Sequence, residues 1–129
     1  EAVLKANSLE PIADATIGRW LTADYKKKHP GRWQQIRDTI AGCTPAGYIG
    51  CAQAIGNFNF IAQLKTVTTP ALVVCGTDDP AGSPAEVRHI ASLFAHGSYD
   101  EFAGARHLPN MEQPDAFNRV MLKWLGAHE

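Results

Sequence analysis

Cysteine is scarce in this sequence of 129 residues, and neither sign of charge dominates. The three cysteines, Cys43, Cys51 and Cys75, contain no C-x-x-C pair, which argues against a disulfide framework or a zinc site and favours a reducing cytoplasm. The formal net charge of −1 gives no reason to expect nucleic acid or an anionic membrane as partner. No apolar run approaches the roughly 18–20 residues that cross a bilayer. We therefore expect a cytoplasmic globular protein with no membrane partner.

Several catalytic motifs are missing as well. The sequence has no H-E-x-x-H, no Walker sequence and no glycine-rich phosphate loop after Cys75, so we expect no metal or other cofactor. No serine lies in a G-x-S-x-G motif, because the flanking glycines are absent at Ser8, Ser83, Ser92 and Ser98. The chain begins at Glu1 rather than at a methionine, and we interpret it as part of a longer protein.

Residues 1–64 have a helical character, with interruptions at prolines and glycines. Between Leu9 and Phe60, three groups of residues follow the i, i+3, i+4 spacing of amphipathic helices. These groups are Ile12, Ala15, Thr16, Arg19 and Trp20, then Trp33, Ile36, Arg37 and Ile40, and finally Tyr48, Cys51, Ala52 and Ile55. We predict a set of small helices here, without a strand of any length.

Residues 65–129 have a different pattern. Ala71–Cys75 is a short, continuous apolar run that is typical of a buried strand in a parallel sheet. Ser98–Phe102 predicts a second strand, and a helix between the two would make a βαβ unit with parallel strands. A loop from Ala103 to Gln113 then leads to a last helix that begins at Pro114.

The helix between the strands has a clear start signal. Ser83 fits an N-cap, Pro84 the first helical position, and Glu86 the partner residue of a capping box. Its predicted apolar stripe consists of Val87, Ile90, Ala91 and Phe94, and that of the last helix consists of Phe117, Val120, Met121, Trp124 and Leu125.

An acid and an imidazole follow the two predicted strands. Asp79 lies four residues past Cys75, and His107 lies five residues past Phe102. Because the carboxyl ends of parallel strands meet at one edge of a sheet, the loops that carry these two residues are expected to be neighbours. A carboxylate bonded to one ring nitrogen fixes the tautomer and leaves the other nitrogen as a general base. Alone, each residue also fits an ordinary loop position, as does the adjacent Asp78.

Two motifs connect this pair with a known superfamily. The segment Thr69–Pro80, TPALVVCGTDDP, resembles the P-x-L-v-x-x-G-x-x-D stretch that carries the acid of α/β-hydrolases. Gly104–Asn110, followed by Glu112–Phe117, resembles their G-x-x-H…E-x-P-x-x-F ending. In the first half, residues 19–22, 29–30, 44–48 and 51–55 are similar to the helical cap of 3-oxoadipate enol-lactonases. The resemblance covers nearly the whole chain.

The resemblance implies an α/β fold that is incomplete by itself. Residues 1–64 would be a helical cap, and residues 65–129 would be the last strand-helix-strand-helix of the parallel sheet in the C-terminal part of an α/β-hydrolase. It also implies hydrolysis of a small lactone, such as 3-oxoadipate enol-lactone in aromatic catabolism, by a Ser-Asp-His triad. Asp79 would orient His107, and His107 would activate the serine. That serine and the oxyanion hole would belong to a missing N-terminal hydrolase segment, which is thus the expected macromolecular partner.

Two further residues are candidates for substrate binding. Trp20 is a candidate for a wall of the substrate pocket, although ordinary packing is the interpretation that we favour for it. Arg106 departs from the family pattern, which usually has a small residue just before the histidine. Its guanidinium is either an ordinary surface group, the interpretation that we favour, or a clamp for the carboxylate of an acidic substrate.

Other functions stay open at this point. A general carboxylesterase or a cofactor-free haloperoxidase of the same fold would carry the same Asp79 and His107. A non-catalytic interaction module, in which the helices and the βαβ unit dock on a partner, belongs to a different class and would tolerate the loss of His107.

Overall fold

The computed structural model describes residues 1–128 and divides into two compact units. The first is Glu1–Asn59, and the second begins at Phe60. This division falls a few residues before the predicted boundary between residues 64 and 65. The assignment of residues 1–64 to a cap and of residues 65–129 to a core stays a prediction. The last residue of the second stretch, Glu129, lies outside the described residues.

The first unit is helical, as its pattern predicts. Its helices are α1 (Ala2–Ala6), α2 (Glu10–Trp20), α3 (Ala23–Lys28), α4 (Pro30–Ala41) and α5 (Pro45–Gly56). Proline occupies the first helical position of α4 and α5, where a missing backbone N–H costs nothing. Threonine caps α3 and α5, because the side chains of Thr22 and Thr44 accept hydrogen bonds from backbone N–H groups of the first turn.

Helices α2 and α4 pack against each other and form most of the core of this unit. The buried face of α2 includes Ala13, Thr16 and Ile17, whereas Ala15 is exposed and Ile12 only half-buried. The predicted apolar stripe is therefore displaced by about one residue from the face that is buried. That face continues beyond both ends of the helix, to Leu9 and Leu21, which are buried as well.

Helix α5 forms where predicted but buries none of its residues within the described structure. Tyr48 and Ile55, which define its predicted apolar stripe, are exposed, and Ile55 retains 73% of its accessible surface. The i, i+3, i+4 spacing thus predicted the helix correctly, but the apolar side chains of that spacing are not buried in the described structure.

The second unit contains a two-stranded parallel sheet and confirms the predicted βαβ arrangement. Its elements are a 3₁₀ helix (Ile61–Thr66), β1 (Ala71–Gly76), α6 (Pro84–Ser92), β2 (Gly97–Phe102), α7 (Pro109–Glu112) and α8 (Pro114–Gly126). The register runs from Ala71 opposite Gly97 to Gly76 opposite Phe102, so the two strands end side by side.

The helix ends in this unit agree with the sequence in part. Ser83 and Glu86 form both bonds of the predicted capping box. Helix α6 ends at Ser92, so Phe94 of the predicted stripe lies beyond it. Helix α7 lies within the stretch that was predicted to be a loop. The sequence did not indicate this helix because a single turn of four residues is too short to show helical periodicity.

Helices cover both faces of the sheet. Arg88 of α6 contacts Tyr99 and Glu101 of β2, whereas Phe117 of α8 contacts Phe102 with 5.6 Å between ring centroids. Because successive strand residues point to opposite faces, α6 and α8 lie on opposite sides of β2. Among residues 1–128, no helix combines the length and the apolar character needed to span a membrane.

Candidate active site

The two residues singled out as acid and base meet in the structure. Asp79 follows β1 and His107 follows β2, and the Oδ2 atom of Asp79 lies 2.8 Å from Nδ1 of His107. The Asp79 side chain is only 11% exposed, whereas that of His107 is 48% exposed. One partner is therefore sheltered by the protein, and the other reaches the surface of this chain.

The turn after β1 aims the Asp79 carboxylate. The backbone N–H of Asp79 donates to the carbonyl of Gly76, and the N–H of Ala81 donates to Oδ1 of Asp79 at 2.9 Å. One carboxylate oxygen is thus held by the turn, and the other is presented to His107. Asp78 is exposed and accepts a bond from the hydroxyl of Thr77, which agrees with its interpretation as a turn residue.

Hydrogen bonds join the acid-bearing turn to the base-bearing loop. The N–H groups of Thr77 and Asp78 donate to the carbonyls of Phe102 and Ala105, at 3.0 and 2.9 Å. The N–H of Gly104 donates to the Thr77 hydroxyl oxygen at 2.8 Å. The two loops therefore extend the sheet pairing past the ends of the strands, and this fixes the distance between the acid and the base.

Glycine is favoured at two positions in this turn and loop, for two different reasons. A Cβ atom on Gly76 would lie 2.2 Å from the carbonyl oxygens of both Ala105 and Arg106, far inside van der Waals contact. Gly104 has a φ of +74°, a left-handed conformation that side chains disfavour. The glycines of the two family motifs thus have physical functions in this turn and loop.

Two side chains from the far end of the loop also hold it. The N–H of Arg106 donates to Oε2 of Glu112 at 2.6 Å, and the amide of Gln113 donates to the carbonyl of Ala103 at 2.8 Å. Sequence reasoning assigned no role to Thr77, Glu112 or Gln113. The available signal was their position within the two motifs, since Glu112 is the glutamate of E-x-P-x-x-F, and Thr77 and Gln113 stand between motif residues.

A cavity of about 380 Å³ opens beside the pair. Besides Asp79 and His107, its lining includes Val87, Asn110 and Phe117. Within residues 1–128, no group of three or more histidine, cysteine or acidic side chains could hold a metal ion. The arrangement is that of an acid–base pair at the rim of a mixed polar and apolar cavity.

Trp20 and Arg106 were the two residues predicted to contact a substrate. Trp20 is the last residue of α2, in the first unit, and is half-buried. Arg106 immediately precedes His107 and is also half-buried, which is more enclosed than a free surface side chain. Their roles toward a substrate stay predictions.

A buried thiol next to the site contacts a tyrosine hydroxyl. Cys75 of β1 lies with its Sγ atom 3.2 Å from the hydroxyl of Tyr99, which also donates to Glu101 at 2.8 Å. Burial, together with these two neighbours, raises the pKa of Tyr99, so this phenol stays protonated near neutral pH.

Comparison with known proteins identifies relatives among hydrolases. The chain is similar to 3-oxoadipate enol-lactonase 2 of Acinetobacter baylyi, with 28% identity over 92% of this chain and 44% of that enzyme. It also matches the structures of an enol-lactonase from Burkholderia xenovorans (34% identity, TM-score 0.86) and of a thermophilic esterase from Thermogutta terrifontis (26% identity, TM-score 0.80). The structural matches cover 92% and 90% of this chain, and 45% and 43% of those proteins.

The chain thus spans less than half the length of the relatives that it matches. The model of the alpha/beta hydrolase family matches residues 3–120, which is most of the sequence and includes both Asp79 and His107. On this match, the chain belongs to the alpha/beta hydrolase family.

Proposed function

We propose that this chain supplies the acid and the base of a serine hydrolase that opens small lactones. The observation that carries the proposal is the 2.8 Å contact between Asp79 and His107, on adjacent loops at the carboxyl ends of parallel strands. The chemistry needs no cofactor. The nucleophilic serine would come from a hydrolase segment outside these 129 residues, since no G-x-S-x-G occurs within them.

The pair has a defined part in that reaction. An ionised carboxylate only accepts hydrogen bonds, so Nδ1 of His107 carries the proton that is shared with Asp79. Nε2 is then left to take the proton of the serine hydroxyl as its oxygen attacks the lactone carbonyl. Asp79 stabilises the imidazolium, which returns the proton to the departing ring oxygen. Water then cleaves the acyl-enzyme in the same way, with His107 again as the base.

The substrate class is proposed from the relatives. The enol-lactonase from Burkholderia xenovorans and that from Acinetobacter baylyi support a lactone of the 3-oxoadipate enol-lactone type. The esterase from Thermogutta terrifontis supports the second candidate, a carboxylesterase that uses the same pair. The proposed location is the cytoplasm, which three free thiols favour.

A chimeric enzyme tests the proposal. It joins this chain to the part of the Burkholderia xenovorans enol-lactonase that the chain does not match, and it is called the chimera below. We expect the chimera to hydrolyse an enol-lactone faster than simple aryl esters, and His107→Ala to reduce kcat on the order of 10⁴-fold. His89→Ala, which removes an exposed histidine of α6, is the matched control and should leave kcat unchanged.

Three outcomes would contradict parts of this proposal. A folded chimera that keeps its activity after His107→Ala would refute the acid–base assignment and favour a non-catalytic module. Preference for aryl esters would favour the carboxylesterase. Enzyme-like turnover by the 129 residues alone would show that they need no serine from another segment.

The two predicted contact residues give a finer test of substrate class. If the Arg106 guanidinium binds a substrate carboxylate, Arg106→Ala raises KM for an anionic lactone and leaves KM for neutral esters unchanged. Arg119→Ala, on the exposed surface of α8, is the control. Trp20→Ala should raise KM for both substrates if Trp20 is a wall of the pocket. Equal effects of Arg106→Ala on both substrates would contradict carboxylate recognition.

A further inference from the structure

The loop that carries His107 is held at every residue that precedes the histidine. The carbonyl of Ala103 accepts from Gln113, the N–H of Gly104 donates to Thr77, and the N–H of Ala105 donates to the carbonyl of Phe102. The N–H of Arg106 then donates to Glu112. A short stretch of backbone is thus bonded to four different partners.

The bond from Arg106 to Glu112 differs from the others in its position. It joins the residue just before His107 to the last residue of α7, the helix that starts just after it. The bond therefore closes a ring of backbone and side chain around His107. At 2.6 Å, with a carboxylate as acceptor, it is short and charge-assisted, a type stronger than a bond between neutral groups.

His107 depends on its backbone for orientation. Its side chain is 48% exposed, so packing restrains the imidazole little, and the bond to Asp79 is directional. A rotation of the backbone at residue 106 or 107 would carry Nδ1 away from the carboxylate. A displacement of about 1 Å at a reacting group can reduce a rate on the order of 100-fold.

We propose that Glu112 is a positioning residue that orients His107 toward Asp79 by accepting the hydrogen bond of the Arg106 N–H. Glu112 does not contact the substrate in this proposal, and its required property is a carboxyl or amide oxygen at the right reach. The proposal rests on the proposed function for its kinetic consequence but not for its effect on the geometry of His107.

The geometric test uses the chain itself. With ¹⁵N-labelled histidine, NMR spectra distinguish the Nδ1-protonated tautomer from the Nε2-protonated one. We expect His107 to be protonated at Nδ1 in the unmodified chain and in Glu112→Gln, whose side-chain oxygen also accepts. Glu112→Ala should give a mixture of tautomers. Gln113→Ala, which removes the bond to Ala103 but leaves the ring around His107 intact, is the matched control and should keep the Nδ1 form.

The kinetic test uses the chimera. We expect Glu112→Ala to reduce kcat by about 10- to 100-fold with little change in KM, and Glu112→Gln to restore most of the loss. If His107→Ala abolishes activity while Glu112→Ala leaves kcat unchanged, the positioning role is refuted and the proposed function stands. If His107→Ala is tolerated, the proposed function fails, and the tautomer of His107 still decides the role of Glu112. A folded Glu112→Gln variant as slow as Glu112→Ala would also overturn the proposal.

Discussion

The two compact units bury their residues in different places. In residues 1–59, large side chains such as Leu9, Ile17 and Leu21 are fully buried between helices. In residues 60–128, the buried hydrophobic side chains include Cys75, Phe102 and Ala105, which lie at or next to the carboxyl ends of the strands, and Ala91 of α6. Helix α8 buries none of its described residues, and its Leu122 is 70% exposed.

This difference shows how the candidate site is kept in shape. The strand-bearing unit has little apolar core of its own, yet its acid and base are placed within hydrogen-bonding distance. Backbone bonds between the two loops and a glycine at their closest approach provide this order. Substitutions in the helical unit should therefore change stability, whereas substitutions around the two loops should change activity.

The largest expected effect comes from the acid of the pair. Asp79→Asn keeps the shape of the side chain but no longer requires a proton on Nδ1, so Nε2 of His107 loses its role as base. We expect kcat of the chimera to fall on the order of 10⁴-fold, with a far smaller change in the midpoint of urea unfolding. Asp78→Asn, at the exposed neighbouring carboxylate, is the control. Equal losses in both variants would show that the turn, and not the pair, was disturbed.

The next effect separates the units by stability. Ile17→Ala empties a fully buried position in the helical unit and should reduce the free energy of unfolding by about 2–5 kcal/mol. Ile90→Ala removes the same atoms from α6, where the side chain is 38% exposed, and should cost on the order of 1 kcal/mol. Urea denaturation of the chain measures both values. A larger cost at Ile90 would contradict the contrast between the two units.

A third prediction compares the effect of replacing a glycine by alanine in each of the two units. Gly76→Ala would place a Cβ atom against the carbonyls of Ala105 and Arg106, so the loop that carries His107 must move. We expect kcat of the chimera to fall on the order of 100-fold. Gly50→Ala lies in open space on α5 and should instead stabilise that helix by about 0.5–1 kcal/mol. Full activity in Gly76→Ala would show that the loops are not held as tightly as their bonds indicate.

Much of this fold and the central pair of the site were predictable from the sequence. The apolar run Ala71–Cys75 and the capping signal at Ser83 are local patterns with one dominant structural meaning. Asp79 and His107 each also fit an ordinary loop position, and their pairing was predicted from the parallel strands together with the family motifs around both residues. The contacts of Thr77 and Glu112 were not predictable in the same way. Each depends on where a side-chain oxygen lies relative to the backbone of another segment, and periodicity carries no information about that distance.

The smallest expected effect concerns the N-terminal cap of α6, whose loss should change stability by less than Ile17→Ala does. Hydrogen bonds from the Ser83 hydroxyl and backbone to the Glu86 carboxylate lower the pKa of Glu86 below its ordinary value. A lowered pKa in the folded state adds stability above the ordinary pKa of Glu, about 4.3, and this contribution disappears as pH falls through the folded-state pKa. Ser83→Ala removes the N-cap of α6 and should lower the free energy of unfolding at pH 7 by about 1 kcal/mol, the usual cost of losing a serine cap. The difference from the unmodified chain should shrink in acid, as urea unfolding between pH 7 and pH 3 would show.

Ser92→Ala, near the other end of the same helix, should show no such pH dependence, since its hydroxyl donates to the carbonyl of His89 and no carboxylate takes part. A constant cost of Ser83→Ala across this pH range would mean that the cap acts through the serine alone, without its carboxylate partner.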